Sequence, residues 1–262
     1  NYWTGWNWLM VSIELLDIVA PAIVAGFMIA AIHGPLGVEV LRRGIIFIDL
    51  AIAQIACLFV VLVDLFTHEA SWVLRQFVAM GAALLAAWLF GIIEKILPKE
   101  QEAIIGACFV LSASGVLLAL ANHPHGGEAM QDILSGQLIF VSWQDILAFA
   151  LVYTVAILLW FGWPQVRRGP WFYAIFAVVV TASVQLVGLY VVFASLILPA
   201  LAVNTLLTGR TRRAILCGWF AIVVGIGISV VSDLPTGPLI VFVYAAIACL
   251  HRLIVYKAVQ RA

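Results

Sequence analysis

Long unbroken apolar runs, separated by short polar breaks, dominate the chain. Apolar and polar positions do not alternate, which argues for membrane helices rather than the strands of a barrel. A helix needs about 20 apolar residues to cross the hydrocarbon core of a bilayer. On that length the pattern predicts spans near 9–32, 44–66, 73–94, 102–121, 145–163, 170–187, 190–208, 214–232 and 238–256. The run from Trp171 to Thr208 is about twice as long as one crossing, and Gly188 is its expected break.

The polar breaks carry an asymmetric charge. Arg42 and Arg43 follow the first span, Lys95 and Lys99 the third, and Arg167 and Arg168 the fifth. Arg210, Arg212 and Arg213 follow the seventh, and Arg252, Lys257 and Arg261 close the chain. The alternate breaks, Thr67–Trp72, Asn122–Gln144 and Ser232–Gly237, hold no Lys or Arg, and only Arg75 lies near an outer end. By the positive-inside rule the basic breaks are cytoplasmic. Two of them flank the 170–208 run, so that run crosses an even number of times. The expected fold is an all-α polytopic membrane protein, a single transmembrane domain over 1–262, with about nine spans, or eight if one segment is re-entrant. The N-terminus is then outside and the C-terminus cytoplasmic. The aromatic start, Tyr2, Trp3, Trp6 and Trp8, suits an anchor at the outer interface. The chain begins at Asn1 with neither Met nor a signal-peptide pattern, which leaves processing or a preceding segment open.

Composition agrees and excludes other classes. Of 262 residues, 65% are hydrophobic and 10% charged, far from the balance of a soluble domain. Thirteen Lys and Arg match thirteen Asp and Glu, so no basic excess exists for nucleic acid. Cys57, Cys108, Cys217 and Cys249 sit singly in apolar runs and read as packing residues. No phosphate loop, H-E-x-x-H or G-x-S-x-G string occurs, so no ATPase, protease or hydrolase is indicated. The expectation is a transport or structural subunit, not an enzyme.

Polar groups inside spans mark pathways or buried pairs. Glu14 and Asp17 share a face of the first span. Asp49 and Gln54 lie in the second, where a five-residue separation turns them about 140° apart. They do not chelate one ion together unless the helix bends. Thr181, Ser183 and Gln185 lie in the sixth span; Ser195, Pro199 and Asn204 lie in the seventh. A proline at that depth suits a helix that lines a cavity or flexes, or a tolerated kink. The outer string from Asn122 to Glu128 offers His123, His125 and Glu128 as nitrogen and oxygen ligands, and His68-Glu69 adds a second pair. A solvated loop is the alternative reading of both.

Five segments, in order along the chain, resemble the permease subunit of zinc/manganese ABC importers. They are Leu41–Gln54, Glu102–Gly106, Leu134–Asp145, Val187–Ala200 and Ser232–Pro238. The resemblance implies an Asp and a His four apart in the second span; here Leu50 and Gln54 stand at those positions. It also implies a long loop after the fifth span, with a short helix that docks on the ATPase. Here only Gly162–Pro170 is present.

The resemblance therefore implies one half of an ABC-type importer in a bacterial inner membrane, with no covalently bound cofactor. A divalent metal ion would be the substrate and a homodimer the path. A separate ATPase subunit would supply ATP hydrolysis, and an outer solute-binding protein would deliver the ion. Asp49, Gln54, Gln185, Ser195 and Pro199 are the expected path residues, and His123, His125 and Glu128 the expected entry contacts. Arg167, Arg168 and Gly169 form the expected ATPase-facing loop. An accessory subunit of a larger membrane complex is the alternative, motivated by the short loop and by Gln54. A secondary transporter would need more intramembrane acids than this chain carries.

Overall fold

The computed structural model describes residues 3–67, 70–120, 134, 138–232 and 234–260, with side chains placed for those between 19 and 255. Among these residues there are nine α-helices and no strand. They are α1 (Trp3–Arg43), α2 (Ile48–Thr67), α3 (Trp72–Ile96), α4 (Gln101–Leu120) and α5 (Trp143–Gly162). The rest are α6 (Gly169–Val187), α7 (Leu189–Val203), α8 (Arg210–Ser232) and α9 (Thr236–Gln260). Eight are long and apolar enough to cross a membrane; α7 is the short one. Its 15 residues rise only about 22 Å against a core of about 30 Å.

Two boundaries differ from the sequence reading. The first span was expected to end at 32, but α1 continues to Arg43 through Pro21 and Pro35. Proline breaks helices in water, yet neighbouring helices tolerate it in a membrane bundle. The seventh span was expected to reach 208, but α7 stops at Val203 and the chain turns through 204–209. Gly188 is the break anticipated between α6 and α7, with φ of +79°. That left-handed conformation strains any residue with a Cβ.

The chain folds back at Gly188. A single imidazole, His33 of α1, lies 3.0 Å from Ser183 of α6 and 2.6 Å from Ser195 of α7. Were α6 and α7 collinear, those serines would be about 18 Å apart along the axis. The two helices therefore form a hairpin whose arms both lean on α1.

Close backbone approach builds the rest of the core. On α1, Gly26 faces Ile222 and Gly34 faces Ile215, so α1 and α8 run antiparallel. Gly218 of α8 meets Ala30 from the other side. Gly37 lies against the backbone of α7 at Leu196, beside Ala200. Read with the His33–Ser195 contact, this makes α1 and α7 parallel. Such small-residue seams let helices pack where lipid supplies no hydrophobic drive. α7 is enclosed by α1, α8 and α9, while α2 packs on α3 and α4, and α3 on α6. The exposed large residues, such as Leu111 and Leu118 of α4 and Leu147, Leu151 and Leu158 of α5, form the face left to lipid.

Gly37→Ala is expected to lower stability by about 1–3 kcal/mol, because its Cβ would overlap the Leu196 carbonyl oxygen. Gly81→Ala, which points into open space on α3, should instead be neutral or stabilise by up to about 1 kcal/mol. Thermal unfolding of both variants in detergent measures the difference.

Candidate functional site: the basic end and the buried polar groups

The ends of α1, α3 and α5 and the starts of α2, α4 and α6 converge at one end of the bundle. Arg43 organises it. Its guanidinium donates to Glu39 at 2.8 Å, to Glu94 of α3 at 3.0 Å and to the carbonyl of Arg167 at 2.9 Å. It also lies over the Phe172 ring, 4.2 Å from the centroid. The planar fork of arginine suits this many fixed acceptors, and lysine could not reproduce it. Arg42 shares Glu39 through two further bonds. Glu102, in the first turn of α4, accepts from the backbone N–H of Phe47 at 3.1 Å, so the start of α2 is capped by α4. Gln101 donates to Tyr173 at 2.6 Å. Lys95 and Lys99 are exposed near this end. By contrast, Arg75 pairs with Asp64 at the far ends of α3 and α2.

The expected ATPase-facing loop belongs to the same end. Pro164–Arg167 form one turn of 3₁₀ helix between α5 and α6, so the short loop does hold a helical turn. Arg167 folds inward and donates to the Trp160 carbonyl at 2.8 and 3.0 Å, while Arg168 is exposed. Gly169 has φ of +56° and opens α6.

Asp49 and Gln54 are both buried in α2, 1% and 2% exposed. Neither oxygen of Asp49, nor the Gln54 Oε1, has a hydrogen-bond partner among the described residues. Asp49 stands in the first turn of α2, where its carboxylate faces the free N–H groups of its own backbone and of Leu50. Gln54 Oε1 is left without a partner among the described residues, which is rare for a buried polar group. The helix is continuous here, and Leu50 beside Asp49 is half-buried.

The other expected path residues separate into two places. Gln185 is exposed, donates to the Thr181 carbonyl at 3.2 Å and accepts from Gln76 of α3. Ser195 and Pro199 are buried in α7, and Ser195 joins His33. The sequence reading missed His33, together with Tyr153, which bonds Ser183 at 2.7 Å. His33 was placed just past the end of the first span, in a Gly34-Pro35 setting that reads as a break. A helix continuing through Pro35 puts it about 15 Å from Arg43 instead, near the middle of a crossing. His123, His125, Glu128, His68 and Glu69 lie outside the described residues, and the side chains of Glu14 and Asp17 are not described. Among the described residues no group of three or more His, Cys, Asp or Glu is placed to hold a metal ion.

The sequence profile of the ABC 3 transport family matches residues 15–166 and 169–255. The chain belongs to that family. Its members are metal-ion ABC transporter permeases, and this chain is such a permease subunit. No curated protein sequence matches it. Among solved structures it is similar to PsaBC from Streptococcus pneumoniae in complex with Fab, with a TM-score of 0.71 and 17% identity over 93% of this chain and 95% of that one. That likeness is one of fold.

Within the permease, the recognisable segments coincide with joints. Leu41–Gln54 holds the Arg43 cluster, and Glu102 caps it. Ser142 and Asp145 form a reciprocal capping box at the start of α5. Gly188 is the hairpin apex, and Ser229 bonds Thr236 at 2.7 Å across the α8–α9 turn. Arg43→Ala should cost about 1.5–3 kcal/mol, the range for hydrogen bonds to charged groups, and Arg43→Lys should recover less than half. Chemical denaturation of the detergent-solubilised chain gives both values.

Proposed function

We propose that this permease is the membrane-spanning half of a zinc- or manganese-type importer and forms a single permease domain over 1–262. Two copies enclose the path, and an outer solute-binding protein delivers the ion. A separate ATPase docks at the basic end, on the Pro164–Arg167 turn beside Arg168. The basic end faces the cytoplasm of a bacterial cell, which puts the N-terminus outside and the C-terminus inside. The chain has no cofactor of its own and uses ATP only through its partner. His123, His125 and Glu128 serve as entry contacts. Gln185, Ser195 and Pro199 line the route with Asp49 and Gln54.

One observation carries this reading: a carboxylate and an amide, buried in a crossing helix, whose oxygens have no side-chain hydrogen-bond partner among the described residues. Intramembrane acids are costly and mark ion routes. Carboxylate and carbonyl oxygens suit manganese better than the softer ligand sets that favour zinc. The family match disfavours the accessory-subunit alternative.

Replacing Asp49 and Gln54 together by Ala should abolish uptake of Mn2+ and Zn2+ in cells while leaving the amount of chain in the membrane unchanged. Metal accumulation equal to that of the wild type would refute the assignment. A photocrosslinker at Arg168 should capture an ATPase chain, and capture of other membrane proteins alone would favour the accessory role.

A further inference from the structure

The His33 cluster is a buried polar arrangement that shares only Ser195 with the proposed route. His33 and Ser183 are fully buried, and Ser195 and Tyr153 nearly so. Together they join α1, α5, α6 and α7.

The ring's tautomer sets its direction. Ser183 Oγ has one hydrogen and three neighbours: the Val179 carbonyl at 2.8 Å, Tyr153 Oη at 2.7 Å and His33 Nε2 at 3.0 Å. With the ring hydrogen on Nε2, the Val179 carbonyl, which can only accept, takes the serine hydrogen. Tyr153 and Nε2 then both donate to Ser183. In the neutral ring Nδ1 is left as an acceptor, and the Ser195 hydroxyl donates to it at 2.6 Å. Ser195 has a second acceptor within reach, the Val192 carbonyl of its own helix at 2.9 Å.

That second acceptor changes what the cluster can do. In a dry interior, breaking a hydrogen bond normally strands a donor at the full cost of desolvation. Here the Ser195 hydroxyl can swing from the ring to Val192, so α7 can leave α1 without a stranded hydroxyl. Only an acceptor lone pair of Nδ1 is left bare. If α6 departed, Ser183 would keep Val179, but Tyr153 and Nε2–H would each lose their acceptor. Of the two arms of the hairpin, α7 alone is held by a contact that carries its own replacement.

We propose that His33 is a positioning residue of the transport cycle: a releasable clamp that holds the Gly188 hairpin on α1 in one access state and lets go of Ser195 in the other. The inference rests on the importer reading and adds the element that moves. It uses the complete complex of this chain with its ATPase and binding protein in proteoliposomes, with Mn2+ and Zn2+ as probes. His33→Phe keeps ring bulk without nitrogen, and Ser195→Ala removes the swinging hydroxyl. Each should raise ATP hydrolysis in the absence of metal and lower metal moved per ATP about tenfold, within the range of typical coupling energies. The double variant should match His33→Phe alone, because that variant already removes the bond that Ser195→Ala removes.

His33→Asn, whose amide overlies Nδ1, should restore coupling in part; His33→Gln, whose amide overlies Nε2, should not. A post with only a structural role predicts otherwise: ATP hydrolysis and transport fall together, in step with the thermal midpoint and alike for Asn and Gln. That result, or metal-free hydrolysis and coupling equal to wild type in both His33→Phe and Ser195→Ala, would overturn the clamp. A wild-type complex that hydrolyses ATP but moves neither ion contradicts the importer reading, and the metal-free hydrolysis rates still decide the clamp.

Discussion

A helix of 15 residues cannot bridge hydrocarbon, so α7 has to be enclosed by helices that can. α1, α8 and α9 pack around it, and α6 delivers it by a one-residue reversal at Gly188. Tyr190 at its start is exposed, but Ser195 at its middle is buried. Ser195 turns to His33, and the carbonyls of Leu201 and Ala202, near its end, receive Arg252 and His251 of α9. The glycines of α1 follow from the same enclosure, because a short buried helix needs neighbours that approach at backbone distance.

This enclosure divides the bundle by role. One group of helices, α1 with α7, α8 and α9, is knitted by small residues. The other, α2 with α3, α4 and α6, carries the buried Asp49 and Gln54. Two polar clusters bridge the groups. Arg43 joins them at the basic end through Glu94 and the Arg167 carbonyl, and His33 joins them in the middle of the crossing. Arg43 thus ties the basic end to α1 and α6, the elements that also carry His33 and Ser183.

Much of this was legible in the sequence. The apolar runs, their helical nature and the break at Gly188 follow from length and from the strain of a positive φ, both local properties. Charge sorted the breaks into two sets, and Arg43, Glu94 and Arg167 do meet at one end. Less legible was the first span. Gly34 and Pro35 look like a break to any local rule, because propensity is measured in water, where no neighbouring helix supports a proline.

The sequence by itself determined the helical membrane class, the succession of apolar helices and which breaks lie together, since each depends on residues near one another in the chain. Only the tertiary structure decided which polar groups are satisfied. Ser195, Pro199 and Gln185 looked alike as polar interruptions, yet Ser195 is bonded to a ring 162 positions away and Gln185 is exposed beside α3. Hydrogen-bond satisfaction in hydrocarbon is settled between helices, and a pattern along one helix does not contain it.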